Sequence, residues 1–491
     1  MPLITNWTRQ LRYQPYSDWS IDYQQQLLNR VQSSPYRLNY HIQPDTGLLN
    51  DPNGFSYFNH QWHLFYQNYP MGPVHGLKSW HHLISDDLIN WRKATPLLPD
   101  GNFDSHGAYS GSALPINDRL FLFYTGNVRN SDWKRSPFQN GAWLSQAGTI
   151  SKISEPLIKQ PRHYTDHFRD PMIFKYQDQI MALIGAQDNN KIGKIAVFKA
   201  DHNNINDWRP LGELAFTSEK LGYMIECPNL IFINHQPVLI FCPQGLTSEV
   251  ISYQNIYPNM YVVGHSFELN TTTITQPSEL TNLDDGFDCY ATQAFNAPDG
   301  RALAVSWLGL PEIEYPTDKD GWAHCLSLVK ELTLHDNQLY QYPVEETKAL
   351  RQTKQILSLS KQSIIPTTNA YELELEVPAN TSQTLHVFSN PSKSNGLVLT
   401  IDTTNGKITM NRSNAGVSFG QQYGQIRTTN VQPHHPIHIN LFADQSVVEL
   451  YINYGAKVMS SRLFPTENQN IIWAEIPQKA QLWPLSKVNN N

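Results

Sequence analysis

The sequence predicts an all-β protein, a five-bladed β-propeller followed by a C-terminal β-sandwich, with a short N-terminal helix. Three observations lead to this prediction. Five similar segments recur along the first two thirds of the chain, and no long helical pattern separates them. The last third consists of short alternating segments bounded by turn residues, which is typical of a sandwich.

The five segments begin at Asp51, Ser110, Asp170, Glu226 and Tyr290, and each reads as a strand, a polar turn and a second strand. The turns are FNHQ, INDR, YQDQ, INHQ and APDG. The interval between the starts of successive segments exceeds the usual blade length of about 40 to 50 residues. This leaves room for two more strands in each unit. A βα-barrel is disfavoured because it requires a helix after every strand.

The first 38 residues contain the predicted helix. Residues 18 to 33 are amphipathic, with Ser20 as the cap and apolar residues on one face. These apolar residues are Tyr23, Leu27, Leu28 and Val31. We therefore expect a helical lead before the first blade.

The sandwich is predicted from strict polar and apolar alternation in four segments after residue 360. They are residues 370 to 377, 396 to 402, 406 to 412 and 446 to 453. The predicted division of the chain is a helical lead (1–38), a propeller (39–345), a linker (346–360) and a sandwich (361–491).

Composition and charge exclude several classes of protein. The formal charge is -7, without a block of like charges, which argues against a nucleic-acid partner. No apolar run reaches about 18 residues and the N-terminus has no signal-peptide core, so we expect a cytoplasmic protein without membrane contact. Four widely spaced cysteines predict neither a zinc site nor a disulfide framework.

Three acidic residues stand near the starts of predicted inner strands: Asp51, Asp170 and Glu226. In a propeller the first strand of each blade lines the central axis, so residues at one phase of different repeats converge at one mouth of the channel. A proline follows each acid within two residues and holds the backbone extended. We expect the three carboxylates to share that phase and to meet.

Two carboxyl groups that flank a glycosidic bond are the minimal machinery for its hydrolysis. Their pKa values must differ. Asparagines beside Asp51 favour its ionised form, whereas the apolar residues before Glu226 predict a raised pKa for that acid. Asp170, beside Arg169, is expected to stay charged.

Other interpretations of these acids remain open. A single acid followed by proline is more often a strand-end residue than a catalyst. Clustered carboxylates also bind calcium, although no dense D-x-D-x-D run is present. A carbohydrate-binding propeller without activity and an interaction scaffold are the alternatives outside the enzymes.

Several motifs together resemble glycoside hydrolase family 32 over essentially the whole chain. The motifs are LLNDPNGF, FYQ, KSWHHLISDDLINW, YSGSA, FRDP, ECP, GFDCYATQAF and DQSVVELYINYG. The resemblance implies a propeller and sandwich fold and a retaining β-fructofuranosidase that acts on sucrose 6-phosphate. Activity on free sucrose, on short fructans or in fructosyl transfer is the alternative. No cofactor and no metal ion is implied, and the oligomeric state is not predicted.

The resemblance also implies roles for individual residues. Asp51 would be the nucleophile, Glu226 the acid and base, and Asp170 a transition-state stabiliser. The substrate-binding candidates are Asn50, Gln67, Tyr109, Ser110, Arg169, Asp288 and Trp307. A phosphate on the sugar requires nearby positive charge, for which the candidates are His75, Lys78, Arg129, Lys134 and Arg135.

Overall fold

The computed structural model describes residues 4–488, and five antiparallel sheets follow one another between residues 47 and 343. Each sheet contains four strands paired in chain order. Sheet 1 consists of Gly47–Phe58, Gln61–Tyr69, Ser79–Ser85 and Trp91–Leu97. Sheet 2 consists of Ala108–Ile116, Arg119–Arg129, Arg135–Ser145 and Ile150–Lys152. Sheet 3 consists of Tyr164–Tyr176, Gln179–Asp188, Gly193–Ala200 and Trp208–Glu213.

The last two sheets follow the same plan. Sheet 4 consists of Met224–Ile233, Gln236–Gln244, Met260–Val263 and Thr281–Asn282. Sheet 5 consists of Cys289–Asn296, Ala302–Leu308, Lys330–His335 and Gln338–Pro343. Further short strands pair with sheets 2, 1 and 5, namely Ile158–Lys159, Trp322–Ala323 and Cys325–Leu326. A separate two-stranded sheet consists of Ser266–Glu268 and Thr273–Thr275.

The first strands of the five sheets contact one another in a ring. Each packs against the first strand of the next sheet, and the first strand of sheet 5 packs against that of sheet 1. These strands are largely buried, so side chains at their starts face a shared central space. Repetition in the sequence therefore appears as five successive sheets whose first strands contact one another in order.

The predicted polar turns close the first hairpin of each sheet. In three of them, two successive residues have positive φ angles: 59 and 60, 177 and 178, and 234 and 235. This left-handed pair is the geometry of a type I′ turn, whose twist matches that of the flanking strands. Asparagine and aspartate tolerate it, which explains their frequency in these turns.

Every first strand carries a β-bulge close to its start. Two residues of the first strand oppose one residue of the second, and the pairs are 50 and 51, 109 and 110, 170 and 171, 227 and 228, and 291 and 292. Asp51 is the second bulge residue, Asp170 is the first, and Glu226 precedes its bulge. The expectation of one shared phase is therefore wrong by one or two residues. A bulge redirects side chains, which allows the three acids to converge from different positions.

The N-terminal lead contains the predicted helix. The helices are Arg9–Arg12 and Ile21–Gln32, and the second is capped by Ser20 Oγ, which accepts from the Tyr23 amide at 3.2 Å. Short 3-10 turns occur at Tyr16–Asp18, Asp201–Asn203, Asp318–Asp320, Glu345–Leu350 and Gln421–Tyr423. Between residues 4 and 488, no helix is long and apolar enough to cross a membrane.

The C-terminal part is a sandwich of two sheets around an apolar core. The six-stranded sheet contains Gln355–Leu359, Gln478–Pro484, Ala370–Val377, Ile437–Asp444, Val447–Ile452 and Lys457–Arg462. The five-stranded sheet contains Ile426–Asn430, Lys407–Asn414, Gly396–Asp402, Ser382–Ser389 and Ile471–Ala474. Part of the segment predicted as a linker, 346–360, is thus the edge strand Gln355–Leu359 of this sandwich.

A buried charged cluster joins the sandwich to the chain just before sheet 1. His41 Nδ1 lies 2.9 Å from Asp444 Oδ2, and His41 Nε2 lies 2.9 Å from Glu449 Oε1. All three side chains are inaccessible to solvent. Burial lowers the pKa of His41, but the hydrogen bonds and charges of the two carboxylates outweigh burial and raise it to about 9. The imidazolium therefore bridges two acids of the sandwich.

Candidate active site

Asp51 is held at the mouth of the ring by three side chains from sheets 1 and 2. Asn50 Nδ2 donates to Asp51 Oδ1 at 3.0 Å, and Gln67 Nε2 donates to Asp51 Oδ2 at 3.2 Å. The Ser110 hydroxyl group also donates to Oδ2. Three donors fix the orientation of this carboxyl group. The structure thus brings the predicted residues Asn50, Gln67 and Ser110 to Asp51.

Asp170 is buried beside it on sheet 3, in the left-handed region with φ 64°. Its amide donates to Thr125 Oγ1 at 2.9 Å, which ties sheet 3 to sheet 2. Its Oδ2 atom accepts from the Cys227 amide of sheet 4 at 3.1 Å. A non-glycine residue in this conformation stores strain that the surrounding contacts must hold.

Glu226, on sheet 4, accepts hydrogen bonds from three side chains. Arg169 donates to Oε1 through Nε at 3.0 Å and Nη2 at 2.7 Å. Oε2 accepts from Gln244 Nε2 and from the Tyr290 hydroxyl group, each at 2.7 Å. The predicted residue Arg169 is therefore the ion-pair partner of Glu226.

Cys227 shows how closely the three acids approach. It follows Glu226 in the chain, and its Sγ atom lies 3.8 Å from Asp51 Oδ2 and 3.8 Å from Asp170 Oδ2. One residue thus touches two acids and is covalently bonded to the third. Beneath them the central channel is nearly filled, with a space of only about 10 Å³. The acids therefore form the floor of a blind pocket.

The protonation states differ from those expected from sequence neighbours. Burial raises the pKa of Asp170 to about 7; Arg169 opposes the rise, and the charges of Glu226 and Asp51 add to it. Burial also raises the pKa of Glu226, but the charge of Arg169 and the hydrogen bonds from Tyr290 and Arg169 outweigh it and leave a net lowering. The sequence predicted a raised pKa for Glu226 and a fully charged Asp170, and both predictions are wrong.

Lys78 and His75 form one wall of the pocket. Lys78 is 3% exposed, and its Nζ atom donates to Asn50 Oδ1 and lies 2.7 Å from His75 Nδ1. Burial lowers the pKa of Lys78 to about 7, although Asp51 and Glu226 favour its charged form. Burial and the charge of Lys78 lower the pKa of His75 well below its usual value. Lys78 therefore orients the Asn50 amide group that donates to Asp51.

Aromatic rings and a cavity complete this side of the mouth. The Tyr109 ring centre lies 5.8 Å from Lys78 Nζ. Trp307 is buried, and its ring lies 6.0 Å from Tyr290 and 6.5 Å from His75. Beyond His75 lies a cavity of about 450 Å³, which the N-terminal lead helps to enclose through Trp7 and other residues.

Asp288 does not line the pocket, contrary to the sequence-based expectation. It is fully buried, and Oδ2 accepts from Arg412 Nη1 at 2.7 Å and from the Arg462 amide at 2.7 Å. Oδ1 accepts from the Tyr315 hydroxyl group at 2.8 Å. Both arginines belong to the sandwich region, so Asp288 joins the sandwich to the five-sheet region.

The remaining predicted basic residues occupy one hairpin of sheet 2. Arg129 and Arg135 are direct cross-strand partners, and Lys134 lies exposed in the connecting loop. His75 and Lys78 lie in the loop between the second and third strands of sheet 1. The five candidates thus divide into a buried pair beside Asn50 and a group at the rim.

The structure adds residues that sequence reasoning did not place in the site: Tyr290, Gln244, Cys227 and His167. Tyr290 precedes the bulge of sheet 5, as Glu226 precedes that of sheet 4, so an alignment of the repeats would have indicated it. His167 Nδ1 lies 3.0 Å from Arg169 Nη1, and nothing in its sequence context marks it.

Comparison with known proteins gives two family models that together match most of the chain. The model for the glycosyl hydrolases family 32 N-terminal domain matches residues 41–343, and that for the family's C-terminal domain matches residues 338–482. The chain is 49% identical over 465 residues to a sucrose-6-phosphate hydrolase of Streptococcus mutans, covering 94% of this chain and 96% of the relative. It is also 49% identical over 485 residues to that of Lactococcus lactis, covering 98% and 100%.

Comparison with solved structures gives proteins of the same family. A sucrose-6-phosphate hydrolase from Lactobacillus gasseri has a TM-score of 0.96 and 43% identity, with 99% of this chain and 100% of that chain covered. A Bombyx mori family 32 beta-fructofuranosidase in complex with sucrose has a TM-score of 0.82 and 28% identity, with 95% and 98% covered.

Proposed function

Because the chain belongs to glycoside hydrolase family 32, we propose that it hydrolyses sucrose 6-phosphate to glucose 6-phosphate and fructose. The chain is a glycoside hydrolase. The proposed substrate is supported by near-full-length similarity to relatives that carry the name sucrose-6-phosphate hydrolase. The alternative substrate is unphosphorylated sucrose.

In this proposal the five sheets are the blades of a propeller, and their first strands surround the pocket. The ring of contacts between first strands supports this arrangement. The catalytic part would comprise residues 39–345, with the sandwich after it. The sandwich would brace the five sheets through buried contacts such as those of His41 and Asp288.

Asp51 is the proposed nucleophile. Its carboxylate would attack the anomeric carbon of the fructosyl unit and form a covalent intermediate, which water then hydrolyses with retention. Glu226 would protonate the departing glucosyl oxygen and then deprotonate the water. A retaining enzyme requires about 5 to 5.5 Å between these two carboxyl groups, and this separation stays a prediction. The contacts of Cys227 with Asp51 and Asp170 are the observation that carries the assignment.

Glu226 needs a proton before it can act as an acid, and in the free pocket its ion pair with Arg169 disfavours that proton. Asp170, with its raised pKa, binds a proton more readily near neutral pH. We infer that fructose hydroxyl groups engage Asp170 and draw Arg169 away from Glu226. The weaker ion pair then raises the pKa of Glu226, and the proton becomes available where the bond breaks.

Partners and location follow from the substrate. The partner is a small phosphorylated sugar, and the chemistry assigned to the three acids uses no cofactor. A charged sugar phosphate does not diffuse across a bilayer, so the enzyme must share the compartment in which its substrate is made. We propose the cytoplasm, which agrees with four buried and unpaired cysteines.

The proposed function is tested by assays of purified wild type, Asp51→Asn and Glu226→Gln on both sugars. We expect wild type to prefer sucrose 6-phosphate by at least tenfold in kcat/KM, which corresponds to about 1.4 kcal/mol. Glu226→Gln should lower turnover by about 10² to 10⁴-fold, and Asp51→Asn should abolish the covalent intermediate. Near-normal rates in either variant would refute the assigned roles, and a preference below tenfold would remove the phosphate from the proposal.

A further inference from the structure

Two arginines face each other across the rim hairpin of sheet 2. Arg129, at the end of Arg119–Arg129, pairs directly with Arg135, at the start of Arg135–Ser145. Directly opposed like charges on one face of a sheet are destabilising. A pair of this kind needs a compensating anion or an extensive set of carboxylate partners.

Carboxylates give this pair little compensation, although the Arg129 guanidinium carbon lies 5.2 Å from the centre of the Trp133 ring. Among residues 4–488, the only carboxylate in ion-pair contact with either arginine is that of Asp166, whose Oδ2 atom lies 3.4 Å from Arg135 Nε. Arg129 Nη1 donates only to the carbonyl oxygen of Trp133 at 3.0 Å. Its Nε atom is buried and has no hydrogen-bond partner within the described part of the chain. Donors therefore remain free on this hairpin.

Strand register places the pair above the catalytic acids. Side chains alternate along a strand, so Arg129 shares a face with Thr125, whose hydroxyl group accepts from the Asp170 amide. On the facing strand, Arg135 shares that face with Gln139, which bonds to Thr125. Four residues of strand correspond to about 13 Å, so the arginines lie about that far from Thr125 towards the rim.

The charges of the arginines act on two residues next to the acids, which supports the placement from strand register. Burial raises the pKa of the Tyr109 hydroxyl group, and the charges of Arg129 and Arg135 oppose that rise. Burial lowers the pKa of Arg135, and the charge of Arg169 adds to the effect. Tyr109 precedes Ser110, which bonds to Asp51, while Arg169 bonds to Glu226. The pair thus lies close enough to act electrostatically on residues beside both Asp51 and Glu226.

From this placement we propose that Arg129 and Arg135 bind the phosphate group of the substrate between them. A guanidinium group presents paired N–H donors that match phosphate oxygens, and two such groups balance a dianion. Lys134, exposed in the loop of the same hairpin, adds positive charge. His75 and Lys78 serve Asn50 instead. This inference rests on the proposed function, because it assigns the residues that select the phosphorylated sugar.

The test compares wild type, Arg129→Gln, Arg135→Gln and Arg135→Lys on sucrose 6-phosphate and on sucrose. We expect each glutamine variant to lower kcat/KM on sucrose 6-phosphate by about 10- to 100-fold, mainly through KM. That loss should be at least ten times larger than the loss on sucrose. Arg135→Lys should recover part of it, because lysine keeps the charge without the paired donors. Inhibition by glucose 6-phosphate should weaken in parallel, whereas inhibition by glucose should not.

Arg119→Gln is the matched control. Arg119 lies at the other end of the same strand, exposed and stacked on Trp143 at 4.2 Å, and its replacement should change neither substrate. If wild type prefers sucrose 6-phosphate but both glutamine variants keep that preference, this inference is overturned and the proposed function stands. If wild type itself shows no preference, both are overturned. Equal losses on the two sugars would also overturn the inference, since they would indicate a general effect on the pocket.

Discussion

Replacing Tyr290 with phenylalanine should move the alkaline limb of the pH profile to higher pH. The Tyr290 hydroxyl group donates to Glu226 Oε2 at 2.7 Å, and burial raises its own pKa well above the usual value, so it donates as a neutral phenol. The ring packs against Trp307, and phenylalanine keeps that packing. The substitution therefore removes one donor to the carboxylate and little else.

The size of the shift follows from that hydrogen bond. A bond to a charged group contributes about 1.5 to 3 kcal/mol, and one pKa unit corresponds to about 1.4 kcal/mol. Because Arg169 and Gln244 still donate to Glu226, we expect a rise of about one unit. In the proposed mechanism Glu226 must be protonated to act as an acid, so activity should fall as pH rises past its pKa in the free enzyme. A raised pKa moves that fall to higher pH.

The measurement is kcat/KM on sucrose 6-phosphate against pH for wild type and Tyr290→Phe. Asp170 and Glu226 interact, so the alkaline limb reports an apparent pKa of this pair. Tyr315→Phe is the matched control, because its hydroxyl group bonds to a buried carboxylate, Asp288, away from the pocket. A limb that stays in place, moves to lower pH, or moves equally in the control would refute the reasoning.

Two further predictions concern buried charges. The folded pKa of His41, about 9, exceeds its unfolded value near 6.5, so its contribution to stability is complete below pH 6.5 and is lost as pH rises through 9. Urea unfolding gives the free energy of unfolding of wild type and of His41→Gln. The difference between these two free energies should decrease by about 3 kcal/mol from pH 6 to pH 10. A difference that does not change with pH would contradict the proposed bridge. Lys78→Met should lower kcat/KM on both sugars by about 10- to 100-fold, because Asn50 loses the donor that orients it. The exposed Lys93→Met is its control, and equal activity of the two variants would remove Lys78 from the site.

Local patterns in the sequence were sufficient for the hairpin turns and for the sandwich strands that alternate strictly. The alternation over 370–377 and 396–402 corresponds to Ala370–Val377 and Gly396–Asp402, because the period of two belongs to the backbone of any half-buried strand. Hairpin turns followed from residues that tolerate positive φ angles. These features depend on neighbours in the chain, which a sequence displays directly.

The electrostatics of the site depend on partners from distant strands, and there the sequence was misleading. The residues before Glu226 are apolar, yet its carboxylate meets Arg169, Gln244 and Tyr290, which come from three other strands. Asp288 carries no local sign that Arg412, more than a hundred residues away, takes up its charge. A pKa reflects spatial neighbours, so chain neighbours predict it poorly.

The bulges explain how a repeated fold can build an asymmetric site. Identical repeats would place identical groups at one height around the ring, but the proposed mechanism needs three different groups, an attacking group, a hydroxyl-binding group and a proton donor. Counted from the bulges, Asp51, Asp170 and Glu226 lie in successively earlier positions of their strands, and one residue corresponds to about 3.3 Å. Later positions of these strands line a separate cavity at the opposite end of the ring, so earlier positions lie nearer the rim. Glu226 therefore starts nearest the rim, which is the position that the proposed proton donor to a leaving group would take.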